Sequence, residues 1–478
     1  MIAAVLGIGL ATERPRIDAV DCSRFAKIAA GVRVDCGYLR VPEDRAAASS
    51  REIGVPFALV LNEHRTSGDP VIFMTGGPGG RVIPRTINPV DPSFGGRDLI
   101  FFEQRGTALS DPSLQCPGYA EEQQRAQRGE ISGAKLAEGL IKFAARCART
   151  ARRSGVRLSG YSTDAIVADI EDFRVLRSYL FINLVGLSYS GKVVTGYARD
   201  HPDHIRSVVA NTPLPAEANY DEEAESVMRR SLDLVIAGCE QTPACDDDHP
   251  QLASKFREVV ERATRHPWRI EVDDPDDAKS KRSVLATGWV VVNALLDQLY
   301  SSRSFEALPA RIDAMWSGHR KALASIVDIG KSDYSWLMRI SLWCNEEVPF
   351  ENPRKIAGDL HAYPEFAGVD QATVPLGLCK AAGFSPRVPA RGNDAVASSV
   401  LFLIFSGQFD PATQPNLHRA MVKTLPNATI ALFPWGRHGA RFNGCGASLM
   451  KRFLDNPRTK LDTSCTSKEP PANFSRPY

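Results

Sequence analysis

The sequence predicts an α/β protein, with a mainly parallel sheet, helices on both faces and a mostly helical insertion. Three observations carry this. Short apolar runs alternate with helical periodicity from residue 55 to about 215. The alternation stops there and returns at residues 400–405 (VLFLIF) and 429–433 (TIALF). Several of these runs empty directly into turns rich in Gly, Ser, Asp or His.

Taken in order, residues 55–63 (VPFALVLNE) read as a strand, and residues 71–75 (VIFMT) as another that runs into Gly76-Gly77-Pro78-Gly79-Gly80. Residues 98–102 (DLIFF) form a third, followed by Glu103-Gln104-Arg105-Gly106. Residues 121–157 read as helical, with Arg146, Arg149, Arg152 and Arg153 on a solvated face. Ser162-Thr163-Asp164 caps a helix to about residue 180, in which Ile166, Ile170, Phe173 and Leu176 keep a 3.6 period. Residues 181–185 (FINLV) are a strand entering Gly186-Leu187-Ser188-Tyr189-Ser190-Gly191. A helix follows through Val193, Val194, Tyr197 and Ala198, then a strand at residues 208–211.

Past about 215 the pattern changes to long helices over 216–264, interrupted at 239–245. A charged turn is expected at 273–284, and helices resume at 288–300, 305–316 and near 333–343. The expected division is therefore a first sheet-forming part at 1–215, a helical insertion at 216–385 and a second sheet-forming part at 386–478. A helix over about 447–454 closes the chain, and no internal repeat is visible.

Composition excludes several classes. With 58 Lys+Arg against 56 Asp+Glu, a net charge of +2 gives no electrostatic case for nucleic acid or an anionic membrane. No apolar run reaches the 18 or so residues of a spanning helix. Residues 2–11 are apolar but have no preceding Lys or Arg. They read either as part of a secretory signal or as an N-terminal strand or lead-in. The 10 cysteines fall as five neighbouring couples, which suits an oxidising compartment and hence a secreted or periplasmic protein. No CxxC occurs and the His residues do not cluster with Cys, so no metal site is expected.

The turn at Ser188 has the features of a nucleophile elbow. A serine on a tight strand-to-helix turn needs small neighbours, because strand and helix backbones approach closely there. Ser190 stands where the pattern G-x-S-x-G has its second Gly. A nucleophilic Ser needs a base, and the base needs an acid to fix its tautomer. Asp410 follows the strand VLFLIF, in SGQFDP, and His438 follows the strand TIALF, in GRHG. Taken separately, Asp410 reads as a turn-initiating residue before Pro and His438 as a surface loop residue. Falling in the order Ser, Asp, His after successive strands, they read as a catalytic set. His201, His204 and His418 sit at no strand end. The backbone N–H of Tyr189 and that of Gly77, in the Gly/Pro loop, are the candidate oxyanion donors.

These motifs in order resemble the tripeptidyl aminopeptidase and proline iminopeptidase group of α/β-hydrolases, including its secreted TAP-like branch. The resemblance rests on GGPGG at 76–80, EQRG at 103–106, GLSYSG at 186–191, SGQFDP at 406–411 and GRHG at 436–439. It departs from the group at Glu103, usually Asp, at Ala108, where Gly is common, and at Ser190. It implies an α/β-hydrolase fold, removal of one or a few residues from peptide N-termini, no cofactor, and a cap over the active site formed by the insertion. An exopeptidase must recognise a free ammonium, and Glu346 and Glu347, beside Cys344, are the expected substrate-binding carboxylates. The same triad would equally serve an esterase, lactonase or amidase acting on a small molecule, because the fold does not choose the substrate. A non-catalytic member that binds through the cap is the remaining alternative, against which the intact Ser, Asp and His stand.

Overall fold

A row of short apolar strands needs backbone partners at its edges and cover on both faces. The computed structural model describes residues 14–300, 303–330, 332–369, 373–385, 393–440 and 444–478; the apolar stretch at 2–11 lies outside them. The described strands are β1 (Arg16–Val20), β2 (Lys27–Ile28), β3 (Val34–Pro42), β4 (Glu52–Val60), β5 (Val71–Met74), β6 (Thr86–Ile87), β7 (Leu99–Phe102), β8 (Ile182–Leu187), β9 (Ile205–Asn211), β10 (Trp268–Asp274), β11 (Asp277–Ala286), β12 (Phe402–Gly407) and β13 (Ala428–Phe433). Nine of them form one sheet in the order β1-β3-β4-β7-β5-β8-β9-β12-β13. From β7 to β13 every neighbouring pair is parallel. β1, β3 and β4 extend the sheet as an antiparallel wing.

The described helices are α1 (Pro117–Gln127), α2 (Gly133–Arg153), α3 (Thr163–Leu176), α4 (Ser190–Asp200), α5 (Ala224–Glu240), α6 (Pro243–Asp248), α7 (Leu252–Arg265), α8 (Gly288–Tyr300), α9 (Leu308–Trp316), α10 (Lys321–Ala324), α11 (Trp336–Glu346), α12 (Pro353–Ala362), α13 (Leu378–Ala381), α14 (Pro415–Met421) and α15 (Gly444–Asp455). Period-2 alternation sends Ile72, Leu184, Val208 and Ile404 into one core and Val71, Val185, Val209 and Phe405 into another, all fully buried. Both faces of the parallel strands are therefore covered, as the sequence predicts.

The excursion between β9 and β12 adds no described strand to this sheet. It is mostly helical, with one correction. Residues 273–284 are not a charged turn but lie in the hairpin β10–β11. Ile270, Val272, Val284 and Ala286 face inward, while Asp274 and Asp276 pair with Arg282 on the outside. The charged face hid the alternation, because cross-strand ion pairs place acids and bases where a half-buried strand shows polar residues. A second correction concerns 121–157, which is two helices. The break at 128–132 contains Gly129, whose φ of +72° and contact with the Leu285 carbonyl leave no room for a Cβ. β1 and β3 have no sequence signature, since β3 carries Asp35, Gly37 and Arg40 and gains its strand character from pairing.

The cysteines pair with their sequence neighbours: Cys22–Cys36, Cys116–Cys147, Cys239–Cys245, Cys344–Cys379 and Cys445–Cys465. No described helix is long and apolar enough to cross a membrane.

Candidate active site

In parallel strands all C-terminal ends lie on one edge of the sheet, so loops that follow them converge. β5 delivers Gly76 and Gly77, β8 delivers Ser188, β12 delivers Asp410 and β13 delivers His438. Ser188 holds φ +56°, a left-handed conformation that a non-glycine residue adopts only under constraint. The constraint is visible. The Ser188 N–H donates to Asn211 O at 3.0 Å, and its carbonyl accepts from Gly191 N at 2.8 Å and Leu214 N at 2.9 Å. A Cβ on Gly76 would lie 2.5 Å from Ser188 Cβ, and one on Gly191 would strike Pro213, so glycine is required on both sides of the turn. Ser190 is not a passive substitute for Gly. Its hydroxyl donates to Thr75 O at 2.5 Å and lies 3.1 Å from Gln104 Nε2, fastening the start of α4 to the Gly-rich loop.

His438 Nδ1 lies 2.9 Å from Asp410 Oδ2 and 3.0 Å from Oδ1. A carboxylate only accepts, so the ring proton sits on Nδ1 and Nε2 is left as the basic nitrogen. Asp410 is fully buried, yet it stays ionised. Burial opposes its charge, but the His438 ring and the N–H groups of Ala412 and Thr413, each 2.8 Å from Oδ1, hold the carboxyl below its usual range. Thr413 Oγ1 lies 2.9 Å from Asp410 Oδ2 and 2.9 Å from Thr212 O, while the Thr212 hydroxyl accepts the N–H of Gly439 at 3.0 Å. The two threonines thus splice the Asp410 loop to the His438 loop. Tyr300 packs edge-on against the His438 ring, with centroids 5.4 Å apart.

Ser188 and His438 line one cavity of about 290 Å³ together with Gly76, Gly77, Tyr189 and Thr413. Its opposite wall comes from the excursion: Met228 on α5, Asn293, Leu296 and Asp297 on α8, and Trp336, Arg339 and Trp343 on α11. Among the described loop and turn hydrogen bonds, neither the Gly77 nor the Tyr189 N–H is used by another backbone carbonyl. Both remain available to a ligand oxygen. No group of three or more described His, Cys, Asp or Glu side chains forms a metal-binding cluster.

Residues 69–296 match the family described as alpha/beta hydrolase fold, and residues 363–465 match the family described as TAP-like protein. The chain has the α/β-hydrolase fold, with a C-terminal part similar to TAP-like proteins. This hydrolase is 21% identical over 446 residues to "Serine protease Hip1" of Mycobacterium tuberculosis, an alignment covering 86% of this chain and 82% of that one. Among solved structures it is similar to a proline iminopeptidase of Mycobacterium smegmatis, at 12% identity and a TM-score of 0.38, covering 87% of this chain and 97% of that one. It is also similar to a thermophilic esterase of Thermogutta terrifontis, at 14% identity and a TM-score of 0.35, covering 88% and 96%.

Glu346 and Glu347, the expected substrate-binding carboxylates, are not among the residues that line this cavity of the hydrolase. Both carboxyls are buried and occupied: Glu346 by Thr163 and Glu347 by Lys192 Nζ at 2.5 Å. The acid that does face the cavity is Asp297. Burial, with Asp328 nearby, pushes its carboxyl up to about 7, while Asn293 Nδ2 donates to it at 3.1 Å. The signal was present in the sequence, since Asn293 and Asp297 stand four apart on the otherwise apolar helix GWVVVNALLDQLY. Thr413 also escaped notice, although a hydroxyl three places after an Asp is the spacing of a side-chain-closed turn.

The EQRG segment of the hydrolase is structural. Glu103 Oε1 accepts from the N–H groups of Val82 and Ile83 at 2.9 Å each, and its other oxygen from Thr107 at 2.7 Å, so its carboxylate ties the loop after β5 to the turn after β7. Arg105 is fully buried on Asp169 and the carbonyls of Glu43 and Gly160. His418 is buried too. Its Nε2 donates to Pro213 O at 3.1 Å, so its Nδ1 accepts from Ser406 Oγ at 2.7 Å, and burial pushes its pKa down to about 4, which makes it a neutral structural residue.

Proposed function

We propose that this α/β-hydrolase is a serine exopeptidase that removes one or a few residues from peptide N-termini, with Ser188 as nucleophile, His438 as base and Asp410 as the acid that orients it. The observation that carries the reading is the buried Asp410–His438 contact opening onto the cavity in which Ser188 stands on its strained turn. Ser188 Oγ attacks the substrate carbonyl while His438 Nε2 takes its proton. Asp410 stabilises the imidazolium, and the N–H groups of Gly77 and Tyr189 receive the oxyanion. His438 then protonates the leaving amine, and water attacks the acyl-enzyme with His438 again as base.

Residues 216–385 act as the cap. They supply the wall that limits substrate length, and Asp297 on α8 is the carboxylate placed to meet a free α-ammonium. The five disulfides support export to an oxidising compartment.

The test is a panel of aminoacyl and tripeptidyl p-nitroanilides, free and N-blocked, beside simple esters, with fluorophosphonate labelling of wild type and Ser188→Ala. Labelling lost in Ser188→Ala, with free N-termini preferred about tenfold or more over blocked ones, is the expected result. Turnover confined to esters would replace the peptidase by an esterase, and labelling that survives in Ser188→Ala would remove the nucleophile.

A further inference from the structure

Three polar side chains at α11 reach back to the catalytic edge of the sheet. Arg339 Nη1 donates to Gly77 O at 2.6 Å. Seven residues on, Glu346 accepts the Thr163 N–H at 2.6 Å, and its second oxygen lies 2.6 Å from Thr163 Oγ1. That hydroxyl is 2.7 Å from Tyr189 OH. Just past the helix end, Glu347 holds Lys192 on α4. Seven residues are two helical turns, about 10.5 Å, so Arg339 and Glu346 share one face of a rigid rod.

We propose that Arg339 and Glu346 are positioning residues for the oxyanion hole, with α11 as a strut that fixes Gly77 and Tyr189 relative to each other. The proposal rests on the reading of those two residues as oxyanion donors. Arg339 acts on the carbonyl of Gly77, a residue at φ +120° with no Cβ to restrain it. Glu346 acts through Thr163 on the ring end of Tyr189, which is buried and adjoins Ser188. Oxyanion stabilisation depends on donors already aimed at the charge that develops, so small losses of aim fall on kcat. The same helix presents Trp336, Arg339 and Trp343 to the cavity, so a substrate that fills the cap presses on the element that aims the donors.

The hydroxyl chain has a direction. With Glu346 ionised, Tyr189 donates to Thr163 and Thr163 to Glu346. With Glu346 protonated the chain reverses, and the Tyr189 hydroxyl loses its acceptor. Burial, opposed by the Thr163 hydrogen bonds, pushes the Glu346 carboxyl up to about 8. The titratable and charged groups around it are Glu347 on its own helix end, Asp164 on α3 and Tyr189 at the elbow, with Lys192 on α4 held by Glu347.

The experiment is steady-state kinetics across pH on Thr163→Val, Thr163→Ser, Tyr189→Phe and the Thr163→Val/Tyr189→Phe double variant, with fluorophosphonate labelling of wild type. The strut requires kcat to fall about tenfold in Thr163→Val with KM within about twofold, Thr163→Ser to recover it, and the double variant to lose no more than either single one. Glu346→Gln must also remove a rise in kcat near pH 8. Should Thr163→Val fail to fold, Tyr189→Phe, which deletes the other end of the same contact, decides alone by its kcat. Wild-type kcat in these variants, with wild type labelled on Ser188, overturns the strut and leaves the peptidase reading standing; unlabelled wild type overturns both.

Discussion

Thr413 Oγ1 donates to Asp410 Oδ2 at 2.9 Å, so the buried carboxylate is held by a hydroxyl as well as by the ring of His438. Thr413→Val keeps the shape but removes that donor and the link to Thr212 O. The expected result is a kcat about tenfold lower, with KM little changed and Thr413→Ser near wild type. Asp410→Asn should be far more severe, about 10³–10⁴-fold, because an amide no longer fixes the Nδ1–H tautomer. Rates with one activated ester and one p-nitroanilide measure both.

Gly76 has no space for a side chain, since a Cβ would stand 2.5 Å from Ser188 Cβ. Gly76→Ala should lower kcat/KM by about 100-fold or more, because displacement of the nucleophile by a fraction of an ångström is enough. Gly358→Ala, on α12 with nothing within 4 Å, should leave activity unchanged and serves as the control.

With Asp297 as the proposed ammonium ligand, substrate binding should carry a pH signature. Its carboxyl, pushed up to about 7 by burial, is neutral below that pH and charged above it. KM for substrates with a free N-terminus should therefore fall as pH rises from 6 to about 7.5, whereas N-blocked substrates show no such step. Asp297→Asn should abolish the difference, read from KM against pH for a matched pair of substrates.

Buried acids also set the pH dependence of stability. Glu346 and Glu351 are pushed by burial up to about 8 and about 7, and burial raises Asp221 and Glu103 as well. An acid whose folded pKa exceeds its unfolded value stabilises fully below the unfolded pKa and loses that contribution as pH rises through the folded one. Stability should decline between about pH 4.5 and 8, opposite in sign to Asp410, whose depressed pKa acts only in strong acid. Calorimetry should show Tm about 3 °C or more lower at pH 8.5 than at pH 5.5, with a smaller difference in Glu346→Gln.

The Cys344–Cys379 bond closes a 35-residue separation and ties α11 to α13. Replacing both cysteines by Ser should cost about 3–4 kcal/mol of stability by releasing the unfolded chain, measured by urea unfolding. A thiol count should find none in the native protein and 10 after denaturing reduction.

Much of the parallel sheet and of the candidate site was legible because it is written in local rules. The apolar strands of the parallel sheet, the small residues around Ser188 and the loops carrying Asp410 and His438 all depend on residues adjacent in the chain. The neighbouring couples of cysteines also hinted at their pairing. β1 and β3 were not legible, since their strand character arises from partners on other strands. The hairpin β10–β11 was hidden by charges whose meaning lies across the turn in Asp274, Asp276 and Arg282.

The sequence by itself determined the fold class, the order of Ser188, Asp410 and His438 and the strand ends on which they stand, because strand period and turn chemistry act over a few residues. Only the tertiary structure decided which acid faces the cavity. Glu346 and Glu347 looked suited to a ligand from their neighbours, yet Thr163 and Lys192, more than 150 residues away, occupy them. Asp297 stands on the otherwise apolar helix α8, which turns it into the cavity. Whether a carboxylate meets substrate or protein depends on what packs opposite it, and distant chain segments make that choice.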